Sequence, residues 1–521
     1  MASTFMGLET SKRGLTTQQS GLYTTGHNIA NANSLGYTRQ RVNLEASKGY
    51  PATGLNAATG VGQIGTGVQA GSVQRVRDQF IDRQYRQETS KLGYWDARST
   101  AISQMEDIMA EPSDYGLNES LNQFWSSLQD LNTSPESEAT RKVVVQKGIA
   151  IAESFNYISS QLIQIQGNIA NEIGVLSSDS NSILKQIVSI NEQIQTIEPN
   201  GYMPNDLYDA RDVLIDELAA YYPIDVSYKK TGGNSQAVAE GIATVSLKLA
   251  DGTKVELVNG KEYKQFRTTP STAIPAGDGT SPTGPVEGFQ LVKLNTDGTD
   301  GAVTDTINVS KLSDLGVLKS LINSFGYNDG GAAKGVYPDM LAKLDKLALA
   351  FVNEFNSIHG AGTDLKGVLG KPFFVASDGA AITASSISID SIFESNSSLL
   401  AASNSPVGAK EEGNGANALL LSNLKFNSLT DIDGATIQTY YESIIGQLGV
   451  NGEQASRLAA NSETIKITVS NNRASMSSVS LDEEMTNMIT FQQAYNANAR
   501  MITVVDEMLD KIINGMGRVG L

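Results

Sequence analysis

Histidine is the side chain that most readily moves protons near neutral pH, and this chain of 521 residues has two, His27 and His359. Each stands alone at the end of a predicted helix, so capping or packing is its expected role. Gly60-Val61-Gly62-Gln63-Ile64-Gly65 has the spacing that lets a backbone approach a dinucleotide, but no helix follows it and the surroundings have loop composition. Ser182-Ile183-Leu184-Lys185 has the spacing of a serine nucleophile and its lysine base, yet it falls inside a predicted helix without the companion motifs. Asp431-Ile432-Asp433-Gly434 resembles part of a calcium loop, with Leu429 where the first ligand belongs. Cysteine is absent, which excludes disulfides, thiolate metal sites and a thiol nucleophile. No catalytic, cofactor or metal constellation emerges, and the expectation is a protein that is not an enzyme.

What the sequence carries instead is two long stripes at its ends. From Leu481, the positions Met485, Met488, Gln492, Tyr495, Ala499, Ile502, Asp506, Leu509, Ile513 and Met516 alternate steps of four and three. That 3.5-residue repeat is a coiled-coil seam with polar interruptions at Gln492 and Asp506. Ser480 and Glu483 read as a capping box at its start. At the other end Phe5, Leu8, Lys12, Leu15, Gln19, Leu22, Gly26 and Ile29 repeat the pattern with about half the apolar content. Neither stripe is wide enough to hold a helix alone, so the two ends are expected to meet, within one chain or between subunits. Both segments are expected to be mobile in the isolated monomer and to order on assembly.

Between the ends the pattern predicts a multidomain α+β fold: terminal coiled-coil helices, a central long-helix bundle and inserted β-rich domains. The predicted order is an assembly segment 1–45, an extended linker 46–77, a helical rod 78–221, a β-rich insert 222–335, a rod return 336–360, a second β or irregular insert 361–434, a third rod segment 435–479 and the C-terminal assembly segment 480–521. Within the rod, Ser134-Pro135-Glu136 reads as a helix start and no proline follows until Pro199, which allows a helix about 90 Å long. Gly167, Gly174 and Ser177 to Ser180 are candidate breaks. After Tyr222-Pro223 the period becomes alternating, with Asp251-Gly252, Asn259-Gly260 and Asp297-Gly298 as hairpin signals. The layout is nested: both ends return to one place, the rods pack as one antiparallel bundle, and the β material projects from the middle.

The net charge of -17 and a pI near 4.7 argue against a duplex-binding surface. No run of eighteen apolar residues and no basic-then-apolar leader occurs, so neither a membrane span nor a cleaved secretory signal is expected.

Gly26-His27-Asn28-Ile29-Ala30-Asn31-Ala32-Asn33, running into Gly36-Tyr37-Thr38-Arg39-Gln40, resembles the N-terminal signature of the bacterial flagellar axial proteins, with Asn28, Asn31, Asn33, Gly36 and Tyr37 as its signature residues. Further blocks continue the resemblance: Gly65 to Val68 with Arg75, Asp78 to Arg86, Asn205 to Asp212, Leu341 to Asp345, Val479 to Glu484 and Phe491 to Arg500. The long rods make the hook-associated members the nearest in pattern. One departure is Ser34-Leu35, where the family commonly has Thr-Pro.

The resemblance implies a structural adaptor at the hook-filament junction, extracellular and exported unprocessed by the flagellar type III apparatus. Implied partners are further copies in a ring or tube, the flagellar hook protein, a filament-side junction protein (hook-associated protein 3) and an export chaperone at the C-terminal region. No cofactor, nucleic acid or membrane insertion is implied. The assembly interface expected from the seams is Phe5, Leu8, Leu15, Leu22 and Ile29 with Leu481, Met485, Met488, Tyr495, Ile502, Leu509 and Ile513. The alternative is a secreted or surface-displayed binding protein whose β-rich domain is the active part and whose rods are a stalk.

Overall fold

The computed structural model describes residues 5–50, 64–109, 116–269, 284–294, 300–329 and 331–515. Residues 60–63 of the glycine pattern, the Asp297-Gly298 signal and Met516 lie outside them. The chain opens with α1 (Phe5–Ala30). Strands β1 (Gln40–Ala46) and β2 (Val68–Arg75) then pair antiparallel from Gln40↔Arg75 to Ala46↔Val68. Part of the expected linker is therefore a strand lying along α1, where Thr17 Oγ1 donates to Val68 O at 3.1 Å.

The helical middle follows: α2 (Gln79–Ile108), α3 (Leu117–Thr133), α4 (Glu138–Ile197) and α5 (Asn205–Tyr221). Asp78 caps α2 by accepting from Phe80 N. The 60 residues of α4 run unbroken for about 90 Å. The serines expected to interrupt it turn inward: Ser177 and Ser180 donate to the carbonyls of Ile173 and Leu176 at 2.8 and 2.7 Å, so no polar group is stranded. The helix starts later than Ser134-Pro135 indicates, because Ser137 is the residue that caps, accepting from Thr140 N. The carbonyl of Pro135 is instead taken by the buried Arg141, whose Nε donates to it at 2.6 Å.

Strands β3 (Ile224–Lys229), β4 (Ile242–Lys248), β5 (Lys254–Asn259), β6 (Glu262–Thr269), β7 (Gly288–Leu294) and β8 (Asp300–Asn308) form one antiparallel sheet in sequence order. Then come α6 (Val317–Phe325), the pair β9 (Tyr327–Asp329) and β10 (Ala332–Lys334), and α7 (Val336–Ala361). The second insert holds β11 (Phe374–Ala376), β12 (Ile387–Ile389), α8 (Ser391–Ser395) and α9 (Ala416–Asn423). The chain ends in α10 (Ile437–Ser477), started by a Thr436–Thr439 capping box, and α11 (Leu481–Gly515).

The helices share one contiguous core and within it form two sets of closest neighbours. Helix α10 runs antiparallel along α2, with Arg473 beside Asp82 at one end and Gly452 beside Glu106 at the other. Helices α3 and α7 lie against the first half of α4 around an aromatic cluster of Phe124, Phe351, Phe355, Phe373 and Phe374. Tyr337 joins the sets by donating to Ala101 O at 2.9 Å.

The first insert does not project freely. Its sheet lies on the second half of α4, where buried Asn191 donates to Ala243 O (2.9 Å) and Gly260 O (3.2 Å) and accepts from Ala243 N (3.0 Å). Asn181 makes the same exchange with the backbone of Phe266, whose ring stacks on Tyr222 at 4.4 Å. Leu184 and Val188, on the face of α4 between those asparagines, are buried. Deleting 225–335 is therefore expected to uncover an apolar face of α4 and to abolish the cooperative helical melt followed by circular dichroism. A sharp melt near that of the full chain would show the helices to be self-sufficient.

His359 packs against the rings of Phe355, Phe373 and Phe393. Its Nε2 accepts from Ala401 N at 3.0 Å, which leaves the proton on Nδ1 to donate to Lys371 O at 2.7 Å. Burial holds its pKa down at about 4. The unfolded chain, with a histidine near 6.5, thus binds the proton more readily than the folded one. This contribution to stability is complete above pH 6.5 and is lost progressively down to pH 4, by about 3 kcal/mol. Urea melts of His359→Gln should lose less stability between pH 7 and 4.5 than those of the parent chain; equal losses would remove His359 from the acid response.

Candidate assembly site: the paired ends of the chain

Helices α1 and α11 lie antiparallel, and their facing residues step by sevens. A Cβ added to Gly7 would sit 3.7 Å from Val505 Cγ2, one on Gly14 would sit 2.6 Å from Asn498 Oδ1, and one on Gly21 would meet the Phe491 ring at 3.0 Å. The next step reaches Asn28, whose Nδ2 donates to Glu484 Oε2 at 3.0 Å. Each seven residues forward on α1 match seven backward on α11. That is a heptad register in which glycine allows the backbones to approach closely.

The ends therefore meet within one chain, but not along the stripes that the apolar spacing selects. The buried face of α1 is Ser11, Gly14, Thr17, Gly21, Thr25 and Asn28. Leu8, Leu15, Leu22 and Ile29 are half-buried on its flanks, and Phe5 is exposed. On α11, Met488, Tyr495, Ile502 and Leu509 are half-buried, while Leu481, Met485 and Ile513 are exposed together with Ile489, Val504, Met508 and Ile512. A search for large apolar residues passes over a contact built from small ones. The signal that would have found it is glycine at positions 7, 14 and 21.

The signature residues organise the turn out of α1. Asn28 is buried and uses every hydrogen-bonding position it has: Oδ1 accepts from Gln40 N (3.0 Å) and Tyr37 OH (2.8 Å), and Nδ2 donates to Gln40 O (2.9 Å) as well as to Glu484. Burial, reinforced by Asp206, Asp209 and Glu484, raises the Tyr37 hydroxyl well above its ordinary range, so it stays a donor. Because its proton goes to Asn28, His27 Nδ1 is the donor in the 3.0 Å contact with Tyr37 OH. Asn31 closes the turn by donating to His27 O and accepting from Ser34 Oγ, both at 3.1 Å. Gly36 has φ of +78°, and a Cβ there would strike Val213 Cγ2 at 2.1 Å, so two constraints demand glycine. Asn33 is exposed at the tip.

Arg39 then crosses to the other end of the chain. Its Nε donates to Glu484 (2.8 Å), its Nη1 donates to Glu483 (2.7 Å), and its backbone N donates to Ser477 O (2.9 Å) in the joint between α10 and α11. Glu483, expected in a capping box with Ser480, is directed to Arg39 instead.

Below this turn sits a buried ionic cluster. The Asp212 carboxylate meets Arg75 (2.9 Å), Arg77 (3.0 Å) and Arg86 (3.4 Å) and accepts from Tyr228 OH (3.2 Å). Although burial opposes ionisation, these cations hold its pKa far below the carboxylate range. Arg75 also pairs with Asp209 (2.7 Å) and Glu240, and Arg473 of α10 bridges Asp82 (3.0 Å) and Asp216 (2.6 Å). Asp209 departs from Asp212: burial outweighs Arg75 and raises it. Asp209 accepts from Thr38 N at 3.1 Å, and Asn205 donates to Gln40 Oε1 and Val73 O. The cluster thus fastens β2, α2, α5, α10 and the loop before β4 to the strand leaving α1. Arg75, Asp82, Arg86, Asp209 and Asp212 fall within the blocks that carry the family resemblance, which assigns them no role.

Among the described residues no group of three His, Asp or Glu side chains is placed to hold a metal ion. What the arrangement does is set the angle and register at which two helices leave the rod. Gly21→Leu should disturb that register. The added side chain must displace Phe491, at a cost of about 1–3 kcal/mol, and hydrogen exchange should show α1 and α11 losing protection while α4 keeps its own. Unchanged exchange in both end helices would count against the close approach.

A family model described as the flagellar hook-associated protein FlgK helical domain matches residues 102–374, and one for the flagellar basal body rod FlgEFG protein C-terminal region matches 471–515. The chain is 45% identical to flagellar hook-associated protein 1 of Bacillus subtilis (strain 168) over 99% of both chains. It is 25% identical to the protein of that name from Escherichia coli (strain K12) over 96% of this chain and 98% of that one. Its fold is similar to that of the flagellar hook junction protein FlgK from Burkholderia pseudomallei, with a TM-score of 0.59 at 14% identity, over 76% of this chain and all of the other. With a family model over more than half its length and a relative this similar end to end, the chain belongs to the family of flagellar hook-associated protein 1.

Proposed function

We propose that this chain is a structural subunit of the junction between the bacterial flagellar hook and filament, and that it assembles with its own copies through the outer flanks of the α1–α11 pair. The observation that carries the reading is the state of that pair. Its inner contact is satisfied within one chain, yet Met485, Ile489, Val504, Met508 and Ile512 remain exposed on α11. A single exposed leucine means little, but a helix that keeps this many large apolar residues in water after pairing is built for further neighbours. The expected assembly residues Leu481, Met485 and Ile513 lie on this exposed surface, while Met488, Tyr495, Ile502 and Leu509 serve both the inner contact and its edge.

The names of the relatives refer to the flagellar hook, which supports hook protein as one partner; a filament-side junction protein (hook-associated protein 3) is the proposed partner on the other side. Export through the flagellar type III apparatus, a chaperone that covers the exposed α11 surface beforehand, and an extracellular location complete the proposal. No helix among the described residues is long and apolar enough to cross a membrane. The stalk reading finds no support in the family, and the first insert is packed on α4 rather than displayed.

In a strain lacking the gene, the parent chain should restore filaments, and Ile489→Asp should leave hooks without filaments. Purified Ile489→Asp should keep the parent's helical content, since the residue is exposed. Normal filaments from that variant would reject the outer flank as the assembly surface.

A further inference from the structure

A groove of about 650 Å³ runs between the outward side of α2 and the edge of the six-stranded sheet. Its far wall is β3, an outermost strand. Lys248 N donates to Pro223 O at 2.8 Å, which fixes the alternation of the β3–β4 ladder. Asp225 and Ser227 exchange bonds with β4, whereas the backbone N–H and C=O of Ile224 and Val226 face away from it, on the groove side. Two further polar atoms lie beneath the helical wall. Glu88 and Ser90 of α2 are buried and line the groove, and Glu88 Oε2 and Ser90 Oγ have no hydrogen-bond partner.

The charges decide what fits. Asp225 is paired with Lys254, the other oxygen of Glu88 with Lys91, and Arg86 with Asp216. Arg83 and Lys248 also line the groove, and neither forms an ion pair among the described residues. Phe80 stands at the rim with 64% of its surface exposed. An unpaired strand edge, orphan acceptors on the facing helix, uncompensated cations and an exposed ring together match an extended polypeptide with acidic side chains.

We infer that this groove takes an extended acidic segment of another protein, which adds to the sheet as a further strand beside β3. A second copy of this chain is the poorer occupant. Its adjacent acidic residues at 106–107, 216–217, 482–484 and 506–507 are in helices, and Glu411 is tied by Ser405 and Asn414 into a turn. The bound strand takes up the outward N–H and C=O of Ile224 and Val226, and its acidic side chains meet Arg83 and Lys248.

The test uses the full chain and two fluorescein-labelled decapeptides, one alternating threonine or valine with glutamate and one with lysine in place of glutamate, followed by anisotropy at low salt. The glutamate peptide should bind and the lysine peptide should not. The reversed variant Arg83→Glu with Lys248→Glu should bind the glutamate peptide at least tenfold more weakly and acquire binding of the lysine peptide. Val226→Pro removes only an N–H that faces the groove, so it should abolish binding while leaving the thermal melt unchanged. If Val226→Pro does not fold, the reversed pair alone decides. Failure of both peptides to saturate at millimolar concentration, or binding indifferent to the reversed charges, would overturn the inference. So would concentration-dependent self-association of the parent chain that the reversed variant lacks, since the occupant would then be a second copy.

Discussion

Glu484 is the carboxylate on which the two ends of this chain meet. It is buried, and it accepts from Asn28 near the end of α1 and from Arg39 just before β1. A buried carboxylate left unpaired is costly, so the helix that carries it is held to the one register in which both partners reach it. The rest of the pair conforms to that point. Glycines at seven-residue intervals let α1 lie close enough for a row of weak contacts with Phe491, Asn498 and Val505. Close packing supplies proximity, and the polar contact supplies register.

Register at the ends would mean little if the ends could swing, and the ionic cluster under Asp212 prevents that. Arg75, Arg77 and Arg86 converge on one carboxylate from β2, the loop after it and α2, while Arg473 joins α10 to α2 and α5. A cluster of this kind stabilises little compared with an apolar core of equal volume, but it tolerates few alternative geometries. Rigidity at this point matters for a subunit whose terminal pair must present the same surface to every neighbour. The long α4 carries the sheet on one half and the aromatic cluster on the other, and the first insert reaches the ionic cluster through Tyr228 and Glu240.

The order of helical and β-rich stretches along the chain was legible in the sequence. The third rod segment beginning near 435, the change of period after Pro223 and the two long end helices were all legible, because periodicity is a local property. Two features were not. The face of α1 was misread because hydrophobic periodicity weighs Leu8, Leu15 and Leu22, whereas the contact depends on what Gly14 and Gly21 lack. The attachment of the first insert to α4 was missed because it runs through Asn181 and Asn191, which in a helix read as solvent-facing. The ionic cluster was visible only as family blocks: Arg75 and Asp212 stand far apart in sequence, and nothing local says that they meet.

The central claim is that one chain pairs its own ends in a fixed heptad register, against the expectation that the ends stay mobile until assembly. The chain has no cysteine, so introduced thiols report without background. Gly14→Cys with Asn498→Cys should form a disulfide within the isolated monomer under mild oxidation, and Gly14→Cys with Val505→Cys, one heptad out of register, should not. Equal cross-linking of both pairs, or disulfides formed only between chains, would contradict the account.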